Sequence, residues 1–181
     1  YRGETLITGI GQGFMTASPI QLALATGAIA NKGNLLTPRV LMHSQSKDGL
    51  SYNESQPQSR RIPIKNIDNW ELIIQAMKQT IYGKLGTAKR LNNKLRYTLA
   101  GKTGTAQVFG LDPEEEYIAE NIDEKLRDHA LFTAFAPIEN PQVAIAIIVE
   151  NAGSGSSKAA PLARTLLDDY FNKYGVDPDK I

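Results

Sequence analysis

The sequence has 181 residues and a formal net charge of +1, from 20 Lys and Arg against 19 Asp and Glu. This length is sufficient for one domain with a real core, and the near balance of charge argues against a nucleic-acid binder, which would carry a clustered basic surplus. Cysteine is absent, which excludes a disulfide framework, a cysteine-ligated zinc site and a thiol nucleophile.

The first third of the chain predicts one helix between two irregular segments. Residues 3–16 carry four glycines and no helical period, which is typical of turns and short extended pieces. Residues 18–21 (SPIQ) have the sequence of a capping box, so a helix is predicted to begin there and to end near Gly33. Residues 35–42 are predicted to be extended, and the polar residues 44–61 are predicted to be a surface excursion.

A second helix is predicted to begin near Asp68 and to end at Gly83. One apolar stripe runs along it at steps of three and four residues, and its members are Ile67, Trp70, Ile74, Met77 and Ile81. Residues 86–96, which follow, are basic and irregular, with room for one helical turn.

The final third has the composition of a sheet followed by one helix. Residues 97–108 (YTLAGKTGTAQV), 129–136 (HALFTAFA) and 142–149 (QVAIAIIV) are rich in strand-favouring residues, so they predict three strands. Residues 109–128, between the first strand and the second, form a polar, acidic excursion with possible local helix at its end. A last helix is predicted over 160–174, where one side would carry Leu162, Leu166, Leu167, Tyr170 and Phe171.

Three consecutive strands with short or looped connections predict an antiparallel sheet. The predicted fold class is therefore α+β, with an antiparallel sheet flanked by helices, and residues 1–181 are interpreted as part of a single domain. The strand at 142–149 is apolar on both faces, so both of its faces are predicted to be covered.

Two glycine-containing patterns fail as nucleotide sites. The segment GIGQG at 9–13 lacks the third glycine of a dinucleotide fingerprint, because position 14 is Phe14. The segment GKT at 101–103 would end a P-loop, but Arg96 stands where that loop needs a glycine, and no helical sequence follows. The first segment is therefore interpreted as a tight turn, and the P-loop interpretation of the second is rejected.

The tetrapeptide Lys102-Thr103-Gly104-Thr105 lies in the first predicted strand and suits the binding of a peptide carboxylate. A buried lysine would supply positive potential, and hydroxyls at alternate positions would share one strand face and hold the carboxylate. Glycine between them lets a substrate backbone lie close, and a free strand edge can pair with an extended peptide. The alternative is a solvated lysine that guards a strand edge.

K-T-G is one of the motifs of penicillin-binding proteins and serine β-lactamases. A match over longer segments of the chain favours the penicillin-binding proteins. The segments YRGETLITGIGQGFMTASPIQLALATGAIANKG, LAGKTGTAQV and DHALFTAFAP resemble class B penicillin-binding proteins, most of all their elongation branch in Gram-negative bacteria. This resemblance covers essentially the whole chain. It implies a β-lactamase/transpeptidase-like fold and a D,D-transpeptidase that cross-links peptidoglycan stem peptides through a serine acyl-enzyme and is acylated by β-lactam antibiotics.

The resemblance also implies roles for the residues of the tetrapeptide. Lys102 would set the electrostatic potential around the nucleophile and the substrate. Thr103 and Thr105 would bind the terminal carboxylate of the peptide or the carboxylate of the drug, with Gly104 between them in the substrate-binding strand. The backbone N–H of Thr105 would form one half of the oxyanion hole.

The family further needs a Ser-x-x-Lys motif, which holds the nucleophile, and a Ser-x-Asn motif, both before the K-T-G strand. Residues 44–47 (SQSK) and 51–53 (SYN) match these patterns formally. They lie a few residues apart in a polar excursion rather than at the start of a buried helix, so they are interpreted as chance matches. The chain is therefore expected to supply the substrate-binding wall of a site, to lack the nucleophile and to form no acyl-enzyme by itself.

Location and partners are expectations from the same resemblance. The chain has no run of 18 apolar residues and begins with neither Met nor a signal peptide, so it is interpreted as a part of a longer protein. The resemblance implies that this part is periplasmic and that the whole protein is anchored in the inner membrane. A membrane glycan polymerase of the SEDS family would be a partner through the absent regions. His43 and His129 lack a third ligand at metal spacing, so neither a metal nor a cofactor is expected. A penicillin-recognising sensor domain and a serine β-lactamase are the alternative functions.

Overall fold

The computed structural model describes residues 2–13, 15–41, 43–49, 51–53, 58–108, 118 and 121–175. In chain order its helices and strands are α1 (Arg2–Gly9), α2 (Pro19–Ala30), β1 (Asn34–Leu36), β2 (His43–Gln45), β3 (Ser51–Asn53), β4 (Ser59–Arg61), α3 (Asp68–Tyr82), β5 (Ala100–Ala106), β6 (His129–Ala136), β7 (Val143–Val149) and α4 (Ala159–Tyr174). Short 3-10 helices lie at Lys89–Asn92 and Glu124–Leu126. Within these ranges no helix has both the length and the apolar character needed to cross a bilayer.

The main sheet has three strands in the order β5-β6-β7, and both pairs are antiparallel. The register runs from Ala100 opposite Phe135 to Ala106 opposite His129. In the described part of the chain, no further strand pairs with β5, so β5 is an edge strand. The predicted α+β class with an antiparallel sheet is confirmed.

Helices pack on both faces of this sheet because successive strand residues point to opposite sides. On one face, Phe132 lies in a core with the α4 residues Leu167 and Phe171. On the other face, Phe135 packs with Ala30 of α2 and Ile74 of α3. The alternate positions of β7 contact both cores, which confirms that this apolar strand is covered on each side.

The helix α2 begins as its sequence predicts. The Ser18 side chain accepts a hydrogen bond from the Gln21 N–H, and the Gln21 side chain accepts one from the Ser18 N–H, which is the reciprocal pair of a capping box. After the helix, Gly33 has φ +90°, and an added Cβ would lie 2.7 Å from the Trp70 ring. Glycine is therefore required where the chain turns from α2 into β1.

The predicted apolar stripes of α3 and α4 are right in part. Trp70, Ile74, Met77 and Ile81 are buried, but Ile67 is 56% exposed because it precedes the first helical turn and does not lie on the core-facing side. In α4, Leu167 and Phe171 are buried, whereas Leu162 and Leu166 are 49% and 52% exposed. The α4 positions that face the sheet carry small residues instead, namely Ala159, Ala160 and Ala163. Their small side chains let the helix lie close to the strands.

Two predictions about irregular segments are wrong. Residues 3–9 belong to helix α1, and the turn occurs only after it, where Gly11 and Gly13 have φ near +80°. The polar stretch 44–61 contains strands, because β2 pairs with β3 and β4 pairs with β1. The residues of β2 and β4 are exposed, and β1 has only three residues, of which Asn34 and Leu35 are half-buried. Neither ladder therefore carries the apolar alternation by which a strand is detected in sequence.

Three further segments differ in extent from the prediction. The extended segment 35–42 is a strand only in β1, which ends at Leu36, and residue 42 lies outside the described ranges. The strand predicted over 97–108 is shorter, since β5 spans Ala100–Ala106. Most of the acidic excursion 109–128 also lies outside the described residues, and the helical turn predicted at its end is the 3-10 helix Glu124–Leu126.

Candidate active site

The tetrapeptide Lys102–Thr105 lies in β5, on the edge of the main sheet. Its residues face Thr133, Phe132, Leu131 and Ala130 of β6 in register. Beside Lys102 is an open groove of ≈ 470 Å³ between β5 and the C-terminal end of α3, which Lys84, Leu85 and Thr87 also line. The motif therefore borders a concave surface through Lys102.

Lys102 is exposed, so the expectation of a buried lysine is wrong. Its Nζ donates a hydrogen bond of 2.5 Å to the carbonyl oxygen of Thr103. This contact folds the ammonium group back along the strand and leaves it at the mouth of the groove. The positive potential of the site thus comes from a solvent-facing cation beside Lys84, a second cation in the lining of the same groove.

Thr103 contacts a residue that sequence reasoning missed. The Oγ1 atoms of Thr103 and Thr87 are 2.9 Å apart and form a hydrogen bond. The loop after α3 folds back on the helix, with the Ala88 N–H bonded to the Thr80 carbonyl at 3.0 Å. Gly86 allows this fold, because a Cβ there would lie 2.4 Å from the Thr80 carbonyl oxygen. The loop thereby brings Thr87 next to the strand.

Thr105 contacts a second residue that was not singled out. The Gln12 Nε2 atom donates a hydrogen bond of 2.9 Å to the carbonyl oxygen of Thr105, across 93 positions of sequence. No separate role was predicted for Gln12 from the sequence. Gln12 belongs to the GIGQG segment at 9–13, which lies within the first stretch that resembles class B penicillin-binding proteins. The sequence offered one clue, which is a polar side chain between two glycines in a predicted turn. This position indicates that the side chain points away from the turn, but it does not reveal which residue the side chain contacts.

Gly104 and its neighbours allow close packing around the strand. A Cβ on Gly104 would lie 3.2 Å from the Leu131 Cβ, its register partner. The loop before α4 covers this point, because a Cβ on Gly155 would lie 2.4 Å from the Gly104 carbonyl oxygen. The backbone of residue 155 therefore lies against the motif, and sequence reasoning did not identify it.

A short network holds together the ends of the excursion that follows β5. The carboxylate of Asp128 accepts a hydrogen bond from the backbone of Val108, and burial raises the pKa of Asp128 above its usual value. The next residue, His129, accepts a hydrogen bond from the Asn151 N–H at its Nδ1, at 2.9 Å. His129 thus connects β6 to the loop after β7 through this hydrogen bond. In the part of the chain that the structure describes, no three His, Cys, Asp or Glu side chains form a metal-binding group.

The formal matches to the nucleophile motifs lie on a small hairpin. Ser44 is in β2 and faces Tyr52 of β3 in register. Ser44 is exposed and lies in a strand rather than at the N-terminus of a helix. This placement agrees with their interpretation as chance matches.

An antiparallel sheet covered by helices on both faces, with K-T-G-T on an edge strand beside a groove, has the architecture of the β-lactamase/transpeptidase fold. The chain belongs to the family described as the penicillin binding protein transpeptidase domain, whose model matches residues 1–168. This confirms the resemblance and the fold class predicted from the sequence.

Several similar proteins are MrdA transpeptidases or penicillin-binding proteins named PBP2. Peptidoglycan D,D-transpeptidase MrdA of Escherichia coli K12 is 43% identical over 93% of the chain, and MrdA of Haemophilus influenzae is 38% identical over 95%. The crystal structure of Pseudomonas aeruginosa PBP2 in complex with WCK 5153 is 40% identical, has a TM-score of 0.73 and is matched over 94% of this chain and 34% of that chain. The structure of Helicobacter pylori PBP2 in complex with MreC has 31% identity and a TM-score of 0.72 over 96% of this chain and 28% of that chain. The predicted resemblance to penicillin-binding protein 2 within class B is thereby confirmed.

The chain spans about a quarter of the length of these curated relatives, namely 26% of the Haemophilus influenzae and Escherichia coli proteins. The activity, substrates and partners of a whole protein of this kind are therefore taken up as proposals.

Proposed function

We propose that the chain forms the substrate-binding wall of a peptidoglycan D,D-transpeptidase. The observation that carries this proposal is the Lys102–Thr105 segment on β5, whose outer edge pairs with no other strand in the described part of the chain, together with the groove that Lys102 lines. An unpaired edge offers backbone donors and acceptors to an extended peptide, and the ammonium and hydroxyl groups beside it suit a carboxylate. Membership of the transpeptidase family supports the same reaction.

The reaction proposed is acyl transfer in two steps. A serine hydroxyl from a segment outside this chain attacks the carbonyl carbon between the two D-Ala residues of a stem peptide. The peptide bond breaks, the terminal D-Ala leaves with a proton on its amine, and an acyl-enzyme ester remains. The amine of a second stem peptide then attacks the ester, forms the cross-link and returns the proton to the serine. β-Lactams acylate the same serine.

Each residue of the motif has a role in this proposal. Lys102 provides positive charge to the substrate and the nucleophile, and Thr103 and Thr105 bind the terminal carboxylate. The N–H of Thr105 donates to the developing oxyanion, a kind of contact that contributes roughly 3–4 kcal/mol to transition-state stabilisation. Gly104 keeps the strand narrow where the substrate backbone lies.

The cellular setting is proposed from the same family membership. The reaction requires access to peptidoglycan, so the chain belongs to the periplasmic part of a protein anchored in the inner membrane. A glycan polymerase of the SEDS family is proposed as a partner of the complete protein, since cross-linking acts on the strands that such an enzyme makes. A relative, PBP2 of Helicobacter pylori, is described in complex with MreC.

The test is the acylation of the full-length protein by a fluorescent penicillin. We expect a stable adduct in the wild type. The Lys102→Ala variant should acylate about 10- to 100-fold more slowly, because it loses a charge-assisted contact to the substrate worth about 1.5–3 kcal/mol. Lys65→Ala, which removes an exposed lysine ahead of α3, is the matched control and should label like the wild type.

The outcomes separate the alternatives. Rapid release of the label would indicate a serine β-lactamase, and stable labelling without any change of cell shape on depletion would indicate a sensor. Rounded cells on depletion are expected for an enzyme of cell elongation. Equal acylation of Lys102→Ala and the wild type would remove Lys102 from the site.

A further inference from the structure

The hydrogen bond from Gln12 to Thr105 connects a distant turn to the backbone of the proposed substrate-binding strand. The Gln12 Nε2 atom lies 2.9 Å from the Thr105 carbonyl oxygen. Gln12 is half-buried, so its amide is not a freely rotating surface group. The contact joins residues that are 93 positions apart in the sequence, so the local fold of the turn does not explain it.

The turn after α1 is built to present this side chain. The Ile7 carbonyl accepts hydrogen bonds from both the Ile10 and the Gln12 N–H groups, at 3.2 and 3.1 Å. Gly11 and Gly13, on either side of Gln12, have φ of +79° and +80°, a conformation that other residues adopt only at a cost. A Cβ on Gly13 would lie 3.1 Å from Ile7 Cγ2. The two hydrogen bonds to Ile7 and the two positive-φ glycines thus define a tight turn around Gln12.

The direction of the Thr105 backbone follows from this contact. In an antiparallel pair, the N–H and C=O of one residue point to the same side of the strand, either to the partner strand or away from it. The Thr105 carbonyl accepts from Gln12, which lies outside β6. The carbonyl and the N–H of Thr105 thus both point to the free edge of the sheet, where a donor to an oxyanion has to point.

We propose that Gln12 is a positioning residue for the oxyanion hole: its side-chain amide holds the Thr105 carbonyl and thereby fixes the direction of the Thr105 N–H. This inference rests on the proposed function and adds a residue to its site. Gln12 does not touch the reacting atoms. It acts through the backbone of Thr105, whose carbonyl and N–H belong to the two peptide planes that meet at its Cα and point to the same side in an extended strand. A misplacement of about 1 Å is enough to cost a large factor in rate.

The same hydrogen bond has a competing interpretation, which predicts the opposite change in substrate binding and in the rate of acylation. A substrate strand that pairs with β5 also needs the carbonyl of Thr105 as an acceptor, and Gln12 occupies one of its two lone pairs. If Gln12 only blocked this acceptor, its removal would strengthen substrate binding and speed acylation. A positioning residue does the reverse, so the direction of the change decides between the two.

The experiment compares Gln12→Ala and Gln12→Glu with the wild type in the full-length protein, using a chromogenic β-lactam. Stopped-flow kinetics separate the dissociation constant of the non-covalent complex from the acylation rate constant. We expect that rate constant to fall about tenfold or more in both variants, because neither presents an amide donor to Thr105. The dissociation constant should change by less than about twofold, since an oxyanion contact forms in the transition state.

Two further readouts distinguish positioning from a loss of fold. The ester carbonyl of the acyl-enzyme should absorb at a higher infrared frequency in the variants, because a weaker oxyanion hole polarises it less. Gln75→Ala is the matched control: Gln75 lies on the exposed face of α3 and donates to Glu71 at 3.0 Å, so its loss should leave both kinetics and spectrum unchanged.

The inference is overturned if both Gln12 variants keep the wild-type acylation rate constant and carbonyl frequency, or if they bind and acylate faster. A wild-type protein that takes no β-lactam at all would instead overturn the proposed function. The two failures are therefore distinguishable in one set of measurements.

Discussion

Tyr97, Asp168 and Arg164 form the polar cluster that ties the segment leading into β5 to helix α4. The Tyr97 hydroxyl donates to Asp168 at 2.8 Å, and the Arg164 Nε donates to both oxygens of the same carboxylate. Arg164 also donates to the Leu91 carbonyl at 2.6 Å. Tyr97 is only 5% exposed, whereas the Arg164 and Asp168 side chains are 19% and 38% exposed, so the cluster joins the segment before β5 to the partly buried side of α4.

This cluster predicts an alkaline loss of stability that depends on Tyr97. Burial and the hydrogen bond to Asp168 raise the pKa of Tyr97 far above its ordinary value, which is about 10 in an unfolded chain. The folded state therefore keeps its proton where the unfolded state has lost it. The stabilisation is complete below about pH 10 and is lost as the pH rises further, by at most about 1.4 kcal/mol per pH unit.

Tyr97→Phe tests this prediction. Urea unfolding at neutral pH should show a loss of about 1 kcal/mol from the missing hydrogen bond, and the decline in unfolding free energy above pH 10 should become shallower. Burial also raises the pKa of Tyr82, so a residual slope is expected. Tyr174→Phe, at an exposed position near the end of α4, is the control. An unchanged alkaline slope in Tyr97→Phe would contradict the assignment.

The turn from α2 into β1 shows how one element places the next. Gly33 combines φ of +90° with a Trp70 ring that an added Cβ would approach to 2.7 Å. Its carbonyl accepts the Ile62 N–H just after β4, at 2.8 Å. The glycine thus joins α2, α3 and the small β1-β4 ladder at one point.

Gly33→Ala should lower the free energy of unfolding by about 2–4 kcal/mol, from the left-handed conformation and the overlap with the indole. Gly3→Ala is the matched control, because Gly3 lies in helix α1 and its added Cβ would meet no atom within 4 Å. Chemical denaturation of both variants measures the difference. Equal stability of the two would show that the tryptophan ring shifts freely to admit a methyl group.

Elements with a strong local signal were predictable, and those defined by tertiary contacts were not. The capping box of α2 and the apolar run of β7 are readable in sequence, because capping needs particular residues at a fixed spacing and a strand covered on both faces needs a continuous apolar run. The ladder β1-β4 leaves no such pattern, because each strand has only three residues and those of β4 are polar and exposed. In α4, the packing of alanines against the sheet overrides the rule that the larger apolar residues face the core, which exposes Leu162 and Leu166.

At the scale of the whole molecule, the site is assembled from segments that are far apart in the chain. The motif Lys102–Thr105 was predictable because its four residue types form a known pattern. Gln12, Thr87 and Gly155 were not, since each reaches the strand through a turn or loop whose target only the folded structure reveals. The motif of the proposed substrate-binding wall is therefore easier to locate from sequence than the residues that contact it.

The placement of Ser44 predicts where a β-lactam reacts in the full-length protein. In the described part of the chain, the serine of the one Ser-x-x-Lys match, Ser44, lies on the exposed strand β2 rather than at the start of a buried helix that would lower the cost of its activation. Mass spectrometry of the digested adduct should therefore place the drug on a peptide outside residues 1–181. Ser44→Ala should label at the wild-type rate, and Lys102→Ala should acylate more slowly at that same external serine. An adduct on Ser44 would mean that this chain carries its own nucleophile, and the proposal that the nucleophile lies outside residues 1–181 would be wrong.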